Sequence, residues 1–318
     1  MPRPALVVPP GLRARAGLGA HWAAWLDRVP RLAADLLDEW ELTLDLPIDR
    51  TATGDGLHGY CSWVLPVVTS DGVPAALKVA VPGDENEHEH LALQHWHGHG
   101  AVLLLRADPR RHALLLERLH TRDLTAVDYD EAAEVVGGLY RRLHVPAPPQ
   151  LRTTTSYVER WAAALATLPR DSPIPHRLVE QAVSLARDLV ADPASTGTLV
   201  HTDLHDLNVL AADREPWLVI DPKPMSGDPH FEPAPMLWNR WDEVVASGAV
   251  RDTVRRRFHL LVDTAELDED RARDWVVTRM VVNAHWTIED AARAQRALDA
   301  GDREWVTRCI SIVKAVQD

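Results

Sequence analysis

Lysine is scarce in this sequence: Lys78, Lys223 and Lys314 are the only three among 34 basic residues. Because arginine is used almost everywhere else, each remaining lysine is a candidate for a specific role, and two of them lie in motifs described below. Acidic residues outnumber basic ones, and the net charge is -13. A nucleic-acid binder needs a basic surface against the phosphate backbone. The charge therefore argues against a nucleic-acid partner and is compatible with a cationic small-molecule substrate.

Cysteine and long apolar runs are also lacking. The two cysteines, Cys61 and Cys309, are far apart, which makes a disulfide framework improbable. Prolines interrupt the first twelve residues, where a signal peptide needs a continuous apolar run, and no later segment is long and apolar enough to span a membrane. The sequence therefore predicts a cytoplasmic protein without a membrane partner. It leaves the oligomeric state open.

The order of secondary-structure patterns predicts an α+β protein with two lobes. Residues 41–81 alternate or are rich in β-branched residues, and one predicted helix and two more strands follow, whereas the pattern from residue 129 onward is nearly all helical. We place the boundary after residue 117, with a nucleotide-binding lobe at residues 1–117 and a helical lobe at 118–318. Helices are predicted at residues 22–40, 85–96, 129–144, 156–168, 174–191, 233–247, 251–264, 268–298 and 302–316. Strands are predicted at residues 64–69, 75–81, 102–106, 113–119, 198–200, 209–211 and 217–221.

A glycine string is formed by Gly54, Gly56 and Gly59, in the pattern G-x-G-x-x-G. A dinucleotide-binding version of this pattern follows a strand and opens a helix. Here strand-like residues follow instead, which favours a strand–turn–strand flap over nucleotide phosphates. A plain turn that needs glycine dihedrals explains the string equally well by itself.

Lys78 lies in the middle of an apolar strand. A buried ammonium group without an anion is unfavourable, so this lysine needs a carboxylate or phosphate partner. Glu85, Glu87 and Glu89 of the following helix could supply the carboxylate and direct Lys78 toward nucleotide phosphates. The alternative is a lysine whose stem lies along an edge strand with its charge in water.

The most specific pattern is H-x-D-x-x-x-x-N, formed by His201, Asp203 and Asn208, followed by a strand that ends at Asp221. Phosphoryl transfer explains each residue. Asp203 can accept or orient the proton of an attacking hydroxyl, while Asn208 and Asp221 offer the oxygen ligands that Mg²⁺ prefers. We expect His201 to brace the loop by hydrogen bonds. Together with Lys78, these residues predict an ATP- and Mg²⁺-dependent kinase.

Other interpretations of the same residues are weaker. His201 and His205 could ligate a metal, but the glutamate of a zinc-protease helix is missing. No G-x-x-x-x-G-K-[ST] pattern exists, which excludes the usual P-loop NTPases. A run of histidines on the predicted helix at 85–96 and just after it could bind a transition metal or could form a solvated face. These are His88, His90, His95, His97 and His99.

The joint pattern of Lys78, His201, Asp203, Asn208 and Asp221 resembles that of the aminoglycoside phosphotransferase-like kinases. More narrowly, the chain resembles the aminoglycoside/hydroxyurea antibiotic-resistance kinase family. Similar stretches extend over nearly the whole chain, so the likeness is not confined to one motif. They occupy residues 75–78, 88–93, 100–108, 114–119, 215–223, 227–229, 237–240 and 283–290.

This resemblance implies a bilobal protein-kinase-like fold, with an N-terminal antiparallel sheet and a larger, mainly helical C-terminal lobe. It also implies that adenine binds at Glu117 to Leu119 and that Glu89 is the partner of Lys78. Three residues depart from the family pattern. Thr202 stands where glycine is usual, Leu207 stands where a glycine often precedes the asparagine, and Glu232 stands where an aspartate is common.

The resemblance implies a small acceptor that carries a hydroxyl group, and an aminoglycoside such as streptomycin is the first expectation. Alternatives are a kinase for another sugar, amino sugar or nucleoside, and a non-catalytic nucleotide-binding module. A site for a cationic acceptor needs carboxylates and aromatic faces. The candidates are Asp228, Glu232, Trp238, Asp242, Trp286, Glu289 and Asp290.

Overall fold

A computed structural model describes residues 6–45 and 59–317. The chain divides into two compact units, one of residues 1–120 with 212–214 and the other of residues 121–211 with 215–318. The boundary placed after residue 117 lies three residues before this division. Within the described ranges, no helix is both long and apolar enough to cross a membrane.

The first unit contains a five-stranded antiparallel sheet in the order β1-β2-β3-β5-β4. A turn that ends at Gly72, with φ of 86°, joins β2 to β3 as the sequence predicted. The hydrogen bond from the Gly72 N–H to the Thr69 carbonyl closes this turn at 2.9 Å. The strands are β1 Thr43–Leu44, β2 Ser62–Val68, β3 Pro74–Ala80, β4 Leu104–Asp108 and β5 Ala113–Glu117.

Two longer helices and three short helical segments, one of them the 3₁₀ turn Pro109–Arg111, accompany the sheet. The helix Ala20–Glu39 buries apolar residues at helical spacing, including Trp22, Trp25 and Val29, in one cluster with Trp63 of β2 and Leu77 of β3. Burial of this stripe removes apolar surface from water and so fixes the helix against the sheet. The helices are α1 Pro10–Arg13, a 3₁₀ segment at Ala14–Leu18, α2 Ala20–Glu39 and α3 Glu89–Trp96.

The second unit is mainly helical and contains two short antiparallel ladders, β6 with β9 and β7 with β8. The strands are β6 Thr198–Val200, β7 Val209–Ala211, β8 Trp217–Val219 and β9 Met225–Gly227. The helices are α4 Tyr129–Leu143, α5 Thr154–Leu165, α6 His176–Ala191, α7 Ala234–Trp238, α8 Trp241–Ala246, α9 Val250–Ala265, α10 Glu269–Arg293 and α11 Ala300–Val316.

Several elements differ from the sequence prediction. The helix predicted over residues 233–247 is divided into α7 and α8, because Arg240 adopts a left-handed conformation with φ of 49°. Strand β9 was not predicted, because Met-Ser-Gly contains no β-branched residue and glycine is uncommon in strands. The helix predicted from Glu85 begins only at Glu89, after a turn.

Candidate active site

The H-x-D-x-x-x-x-N segment lies in the loop between β6 and β7. Antiparallel pairing sets Val200 opposite Met225 and Val209 opposite Val219. The loop of residues 201–208 and the segment of residues 220–224 therefore lie side by side. Backbone hydrogen bonds join them at both ends, from the Lys223 N–H to the His201 carbonyl at 3.0 Å and from the Ile220 N–H to the Asn208 carbonyl at 2.9 Å. The two ladders thus bring the predicted catalytic and metal-binding residues together.

Asp203 forms an ion pair that the sequence analysis did not assign. Its Oδ2 lies 2.7 Å from the Nζ atom of Lys223, one of the three lysines in the chain. Both side chains keep part of their surface exposed, 19% for Asp203 and 32% for Lys223. The scarcity of lysine in the sequence pointed to a specific role for Lys223. Its pairing with Asp203 could not be predicted, because the two neighbouring ladders bring the residues together.

Asn208 is oriented by the backbone of the same loop. Its Nδ2 donates to the Asp203 carbonyl at 2.8 Å, so the amide oxygen remains for another partner. The loop ends in a single 3₁₀ turn, Asp206–Asn208, in which the Leu207 N–H donates to the Nδ1 of His205 at 3.3 Å. Leu207 has no positive φ, so the leucine at this position fits the backbone without strain.

His201 braces the loop, as predicted. Its Nε2 lies 3.0 Å from the Ile220 carbonyl and its Nδ1 accepts a hydrogen bond from the Asp203 N–H at 3.3 Å. This pair of contacts requires the neutral tautomer with hydrogen on Nε2. Burial lowers the pKa of His201, which favours that neutral form.

Thr202 occupies a position that favours glycine, because its φ is 64°. Several contacts hold it in this conformation. Its hydroxyl donates to the Lys223 carbonyl at 2.7 Å, its N–H donates to the carboxylate of Glu232 at 3.1 Å, and its carbonyl accepts from Arg279. The departure from the usual glycine is therefore offset by hydrogen bonds that glycine could form only in part.

Glu232 is the buried anchor of this loop. Its carboxylate accepts hydrogen bonds from two consecutive N–H groups, at 2.5 Å from His201 and 3.1 Å from Thr202, and its side chain has no exposed surface. Burial by itself would raise the pKa of Glu232, but His144, whose Nε2 lies 3.7 Å from the carboxylate, and the backbone N–H of His201 hold the pKa below its ordinary value of 4.5. A fully buried carboxylate cannot reach an acceptor, so the structure gives this residue a supporting position instead of the predicted acceptor contact.

Replacing Glu232 by glutamine should loosen the loop. An amide offers one acceptor oxygen where two N–H groups need one each, so one N–H loses its partner. We expect the free energy of unfolding to fall by about 1–3 kcal/mol and kcat to fall with it. Chemical denaturation and steady-state kinetics at pH 7 would measure both changes.

Because the folded-state pKa of Glu232 is depressed, its contribution is present above pH 4.5 and is lost as the pH falls through the folded pKa. The difference in unfolding free energy between wild type and Glu232→Gln should therefore shrink at acid pH. Glu180→Gln, which changes an exposed glutamate on α6, is the matched control. Equal stability of wild type and Glu232→Gln at pH 7 would contradict the anchoring role.

Asp228 is likewise buried inside the second unit. Its carboxylate accepts from the indole N–H of Trp275 at 2.7 Å, from Arg271 at 2.6 Å and from the backbone of His230 at 3.0 Å. Only 1% of the residue is exposed. The carboxylate of Asp228 therefore has no accessible oxygen for the predicted contact with an acceptor. Instead, the residue links α10 to the segment after β9.

The donor set near Asp203 fits a magnesium ion. Asn208 and Asp221 offer amide and carboxylate oxygens, the ligands that Mg²⁺ takes, and Asp221 is held in a left-handed conformation with φ of 56°. Strained backbone of this kind is concentrated at functional positions. These two residues would hold the ion. Within residues 6–45 and 59–317, no group of three or more His, Cys, Asp or Glu side chains could hold a metal by themselves.

The first unit contains the predicted ion pair of Lys78 and Glu89. The Nζ of Lys78 lies 2.6 and 2.8 Å from the two oxygens of Glu89, and the residues are 5% and 2% exposed. Lys78 lies on β3, and Glu89 opens α3, whose buried face repeats at Ala92, Leu93 and Trp96. Amphipathic packing of α3 thus holds the carboxylate against the lysine.

The segment predicted to bind adenine follows β5. The Glu117 carboxylate accepts from the Leu103 N–H at 2.6 Å and pairs with Arg214 at 2.7 Å, so this side chain has a supporting contact. The Leu119 N–H donates to no other backbone group in the described ranges. A nucleotide contact in this segment would therefore use the backbone. Of the glycine string, Gly54 and Gly56 lie outside the described residues, while the Gly59 N–H donates to the Ser62 carbonyl at 3.0 Å.

The other candidates for the acceptor site lie on three helices. Trp238, at the end of α7, packs against Trp305 with ring centroids 6.1 Å apart, and Arg279 lies 5.1 Å from its ring. Trp286 on α10 is 40% exposed and packs against Trp161. The three acidic candidates Asp242, Glu289 and Asp290 are exposed on α8 and α10.

The histidine run does not form a metal site among the described residues. His97 ends α3 in a left-handed conformation. Burial lowers the pKa of His90. The other histidines of the run are spread over α3 and the residues on either side of it.

Comparisons with known proteins agree with this geometry. A model of the aminoglycoside/hydroxyurea antibiotic resistance kinase family matches residues 50–291. A streptomycin 6-kinase of Streptomyces glaucescens is 43% identical over 87% of this chain and 88% of its own length. A hydroxyurea phosphotransferase of Kitasatospora aureofaciens is 39% identical over 86% of this chain and 77% of its own.

Solved structures show the same fold at low sequence identity. An aminoglycoside phosphotransferase in complex with ADP and hygromycin B matches with a TM-score of 0.56 and 16% identity, over 89% of this chain and 97% of the other. A choline kinase from Streptococcus pneumoniae matches with a TM-score of 0.57 and 15% identity, over 90% and 98%. The predicted α+β, protein-kinase-like fold is confirmed. The chain is a small-molecule phosphotransferase and belongs to the aminoglycoside/hydroxyurea antibiotic resistance kinase family.

Proposed function

We propose that this protein transfers the γ-phosphoryl group of ATP to a hydroxyl of an aminoglycoside, with streptomycin as the first acceptor to test. The observation that carries the proposal is the loop in which Asp203 contacts Lys223 while its backbone carbonyl orients Asn208. The 43% identity to a streptomycin 6-kinase supports the choice of acceptor.

The proposed reaction is a direct displacement. Asp203 accepts the proton of the acceptor hydroxyl as its oxygen forms a bond to the γ-phosphorus, while the bond to the oxygen bridging the β- and γ-phosphates breaks and ADP leaves. Mg²⁺, held by Asn208 and Asp221, would neutralise charge on the phosphates. Lys223 holds its ammonium group against Asp203 and adds positive charge where the transferred group is negative.

Lys78, oriented by Glu89, would bind the phosphates of ATP, and the backbone at Glu117 to Leu119 would bind adenine. This assigns nucleotide binding mainly to residues 1–117, which include Gly54, Gly56 and Gly59, with Leu119 just beyond them. Residues 118–318 would carry the loop of Asp203 and the acceptor site. The partner is then a small molecule. A cytoplasmic location, where ATP is available, follows as part of the proposal.

A coupled assay of ADP release tests the proposal. Purified protein with ATP and Mg²⁺ would be offered streptomycin, other aminoglycosides, hydroxyurea, amino sugars and nucleosides. We expect acceptor-dependent ADP release with streptomycin, and mass spectrometry should find one added phosphate on the product. Turnover of hydroxyurea or a nucleoside alone would contradict the aminoglycoside assignment. Nucleotide binding without turnover of any acceptor would favour a binding module.

A further inference from the structure

The second unit carries an aromatic wall made by the half-buried Trp161 of α5 and the exposed Trp286 of α10. The two rings meet edge to face, with centroids 5.0 Å apart and planes at 81°. Tyr157, one helical turn before Trp161, extends the wall with its ring centroid 5.9 Å from that of Trp161. Trp286 is 40% exposed, whereas most tryptophans of the chain are buried or half-buried. Burial therefore does not explain why a tryptophan is placed here.

The wall lies two helical turns from the catalytic loop when it is followed along α10. Arg279 of this helix donates to the Thr202 carbonyl, next to Asp203. Trp286 comes seven residues later, on the same helical face and about 10 Å along the axis. Asn283 lies between them on that face.

Helix α5 connects the aromatic wall to the segment that contains Lys223. Its N-cap residue, Thr153, bridges to Ser226, three residues after Lys223, and the Ser226 N–H donates to the Arg152 carbonyl at 2.8 Å. Trp161 follows Thr153 by eight residues, or about 12 Å of helix. Both helices thus contact the segments around Asp203 and Lys223, and both reach the wall at a similar distance from them.

Two polar residues of α10, His285 and Glu289, lie within three positions of Trp286 in the sequence. His285 is 8% exposed, and neither ring nitrogen forms a hydrogen bond with a group in the described ranges. A buried polar atom without a partner is rare in folded proteins and calls for an explanation such as a ligand or water. Glu289 is exposed and follows His285 by four residues and Trp286 by three, so it lies one helical turn beyond both.

We propose that Trp161 and Trp286 form a subsite for the protonated amino sugar of an acceptor of two or more rings, remote from the ring whose hydroxyl is phosphorylated. The aromatic faces would contact the ring and its ammonium group, and Glu289 would attract the charge. This inference rests on the proposed function. It goes further by naming the part of the acceptor that the wall binds. The subsite increases the affinity for acceptors of two or more rings. It makes no contact with an acceptor of one ring.

Steady-state kinetics of Trp286→Leu and Trp161→Leu test the subsite. We expect the KM for streptomycin to rise about tenfold in each variant, the range that loss of a cation–π contact gives. The KM for ATP and kcat should stay within about twofold of wild type, since these residues contact neither nucleotide nor reacting atoms. Trp286→Phe, which keeps an aromatic face, should recover most of the affinity.

Two comparisons separate this role from a merely structural one. Trp22→Leu removes a tryptophan from an edge-to-face pair with Trp25 on α2, in the first unit, and should leave the KM for streptomycin unchanged. The guanidino-cyclitol ring of streptomycin, offered by itself as a one-ring acceptor, should be phosphorylated equally by wild type and Trp286→Leu. An unchanged KM for streptomycin in Trp286→Leu, or an equal loss for both acceptors, would overturn the subsite.

Failure of the proposed function would give a different result. If wild type turns over no aminoglycoside, titration calorimetry of the folded protein with streptomycin can still measure binding at the wall. A dissociation constant that Trp286→Leu raises about tenfold would support the subsite, whereas absence of binding to wild type would overturn it together with the proposed acceptor.

Discussion

Asp203→Asn is expected to lower kcat by about two to four orders of magnitude, because general base assistance contributes about that much to proton transfer. Asparagine has nearly the same shape but cannot accept the hydroxyl proton. The Asp203 backbone carbonyl that accepts from Asn208 is unchanged, so the loop should keep its conformation. The KM for ATP should therefore change little. Initial rates of ADP release with streptomycin would measure the loss.

Asp213→Asn is the matched control for this variant. Asp213 is 94% exposed and pairs with the side chain of His120, so the same chemical change should leave kcat unaltered. Thermal unfolding of both variants would show whether either change affects the fold. Full turnover by Asp203→Asn with the best acceptor would remove the basis of the proposed mechanism.

Lys78→Met is expected to abolish measurable turnover and also to destabilise the protein. The ion pair with Glu89 is buried on both sides. Removing one partner of such a pair leaves an uncompensated buried charge, which costs about 3–5 kcal/mol. Methionine keeps the length and the apolar contacts of the lysine stem but cannot contact a phosphate. Chemical denaturation and ADP-release kinetics would record the two effects.

The double variant Lys78→Met with Glu89→Leu separates stability from catalysis. Replacing a buried ion pair by apolar residues of similar volume is often neutral or stabilising. We therefore expect the double variant to recover most of the free energy of unfolding while remaining inactive and failing to bind ATP. Activity close to wild type in a folded double variant would contradict the assignment of this pair to the nucleotide.

Part of the fold could be predicted from the sequence because periodicity records local backbone geometry. The hairpin of β2 and β3 and the long helices from α4 onward lie near their predicted positions, because strand alternation and helical spacing extend over many residues. The division of α7 from α8 could not be predicted. The left-handed residue at this break is Arg240, and arginine gives no signal for positive φ.

The candidate acceptor residues show the limit of sequence patterns more clearly. Glu232 follows a stretch similar to the family and Trp286 lies within one, yet the first is fully buried beneath the catalytic loop and the second is exposed on α10. Whether a carboxylate faces a ligand or a backbone N–H depends on which helices pack around it. No pattern within a single helix contains that information.

The chemistry expected of this protein could be predicted from its sequence, because the residues for phosphoryl transfer are encoded at short range: Asp203 and Asn208 are five positions apart in one loop, and Asp221 ends the following hairpin. The groups that support these residues became known from the folded chain. The contact of Lys223 with Asp203 and the contact of Glu232 with the Thr202 N–H join residues 20 and 30 positions apart. Such contacts arise when paired strands and packed helices bury some polar groups and leave others exposed, and this selection is a property of the whole folded unit.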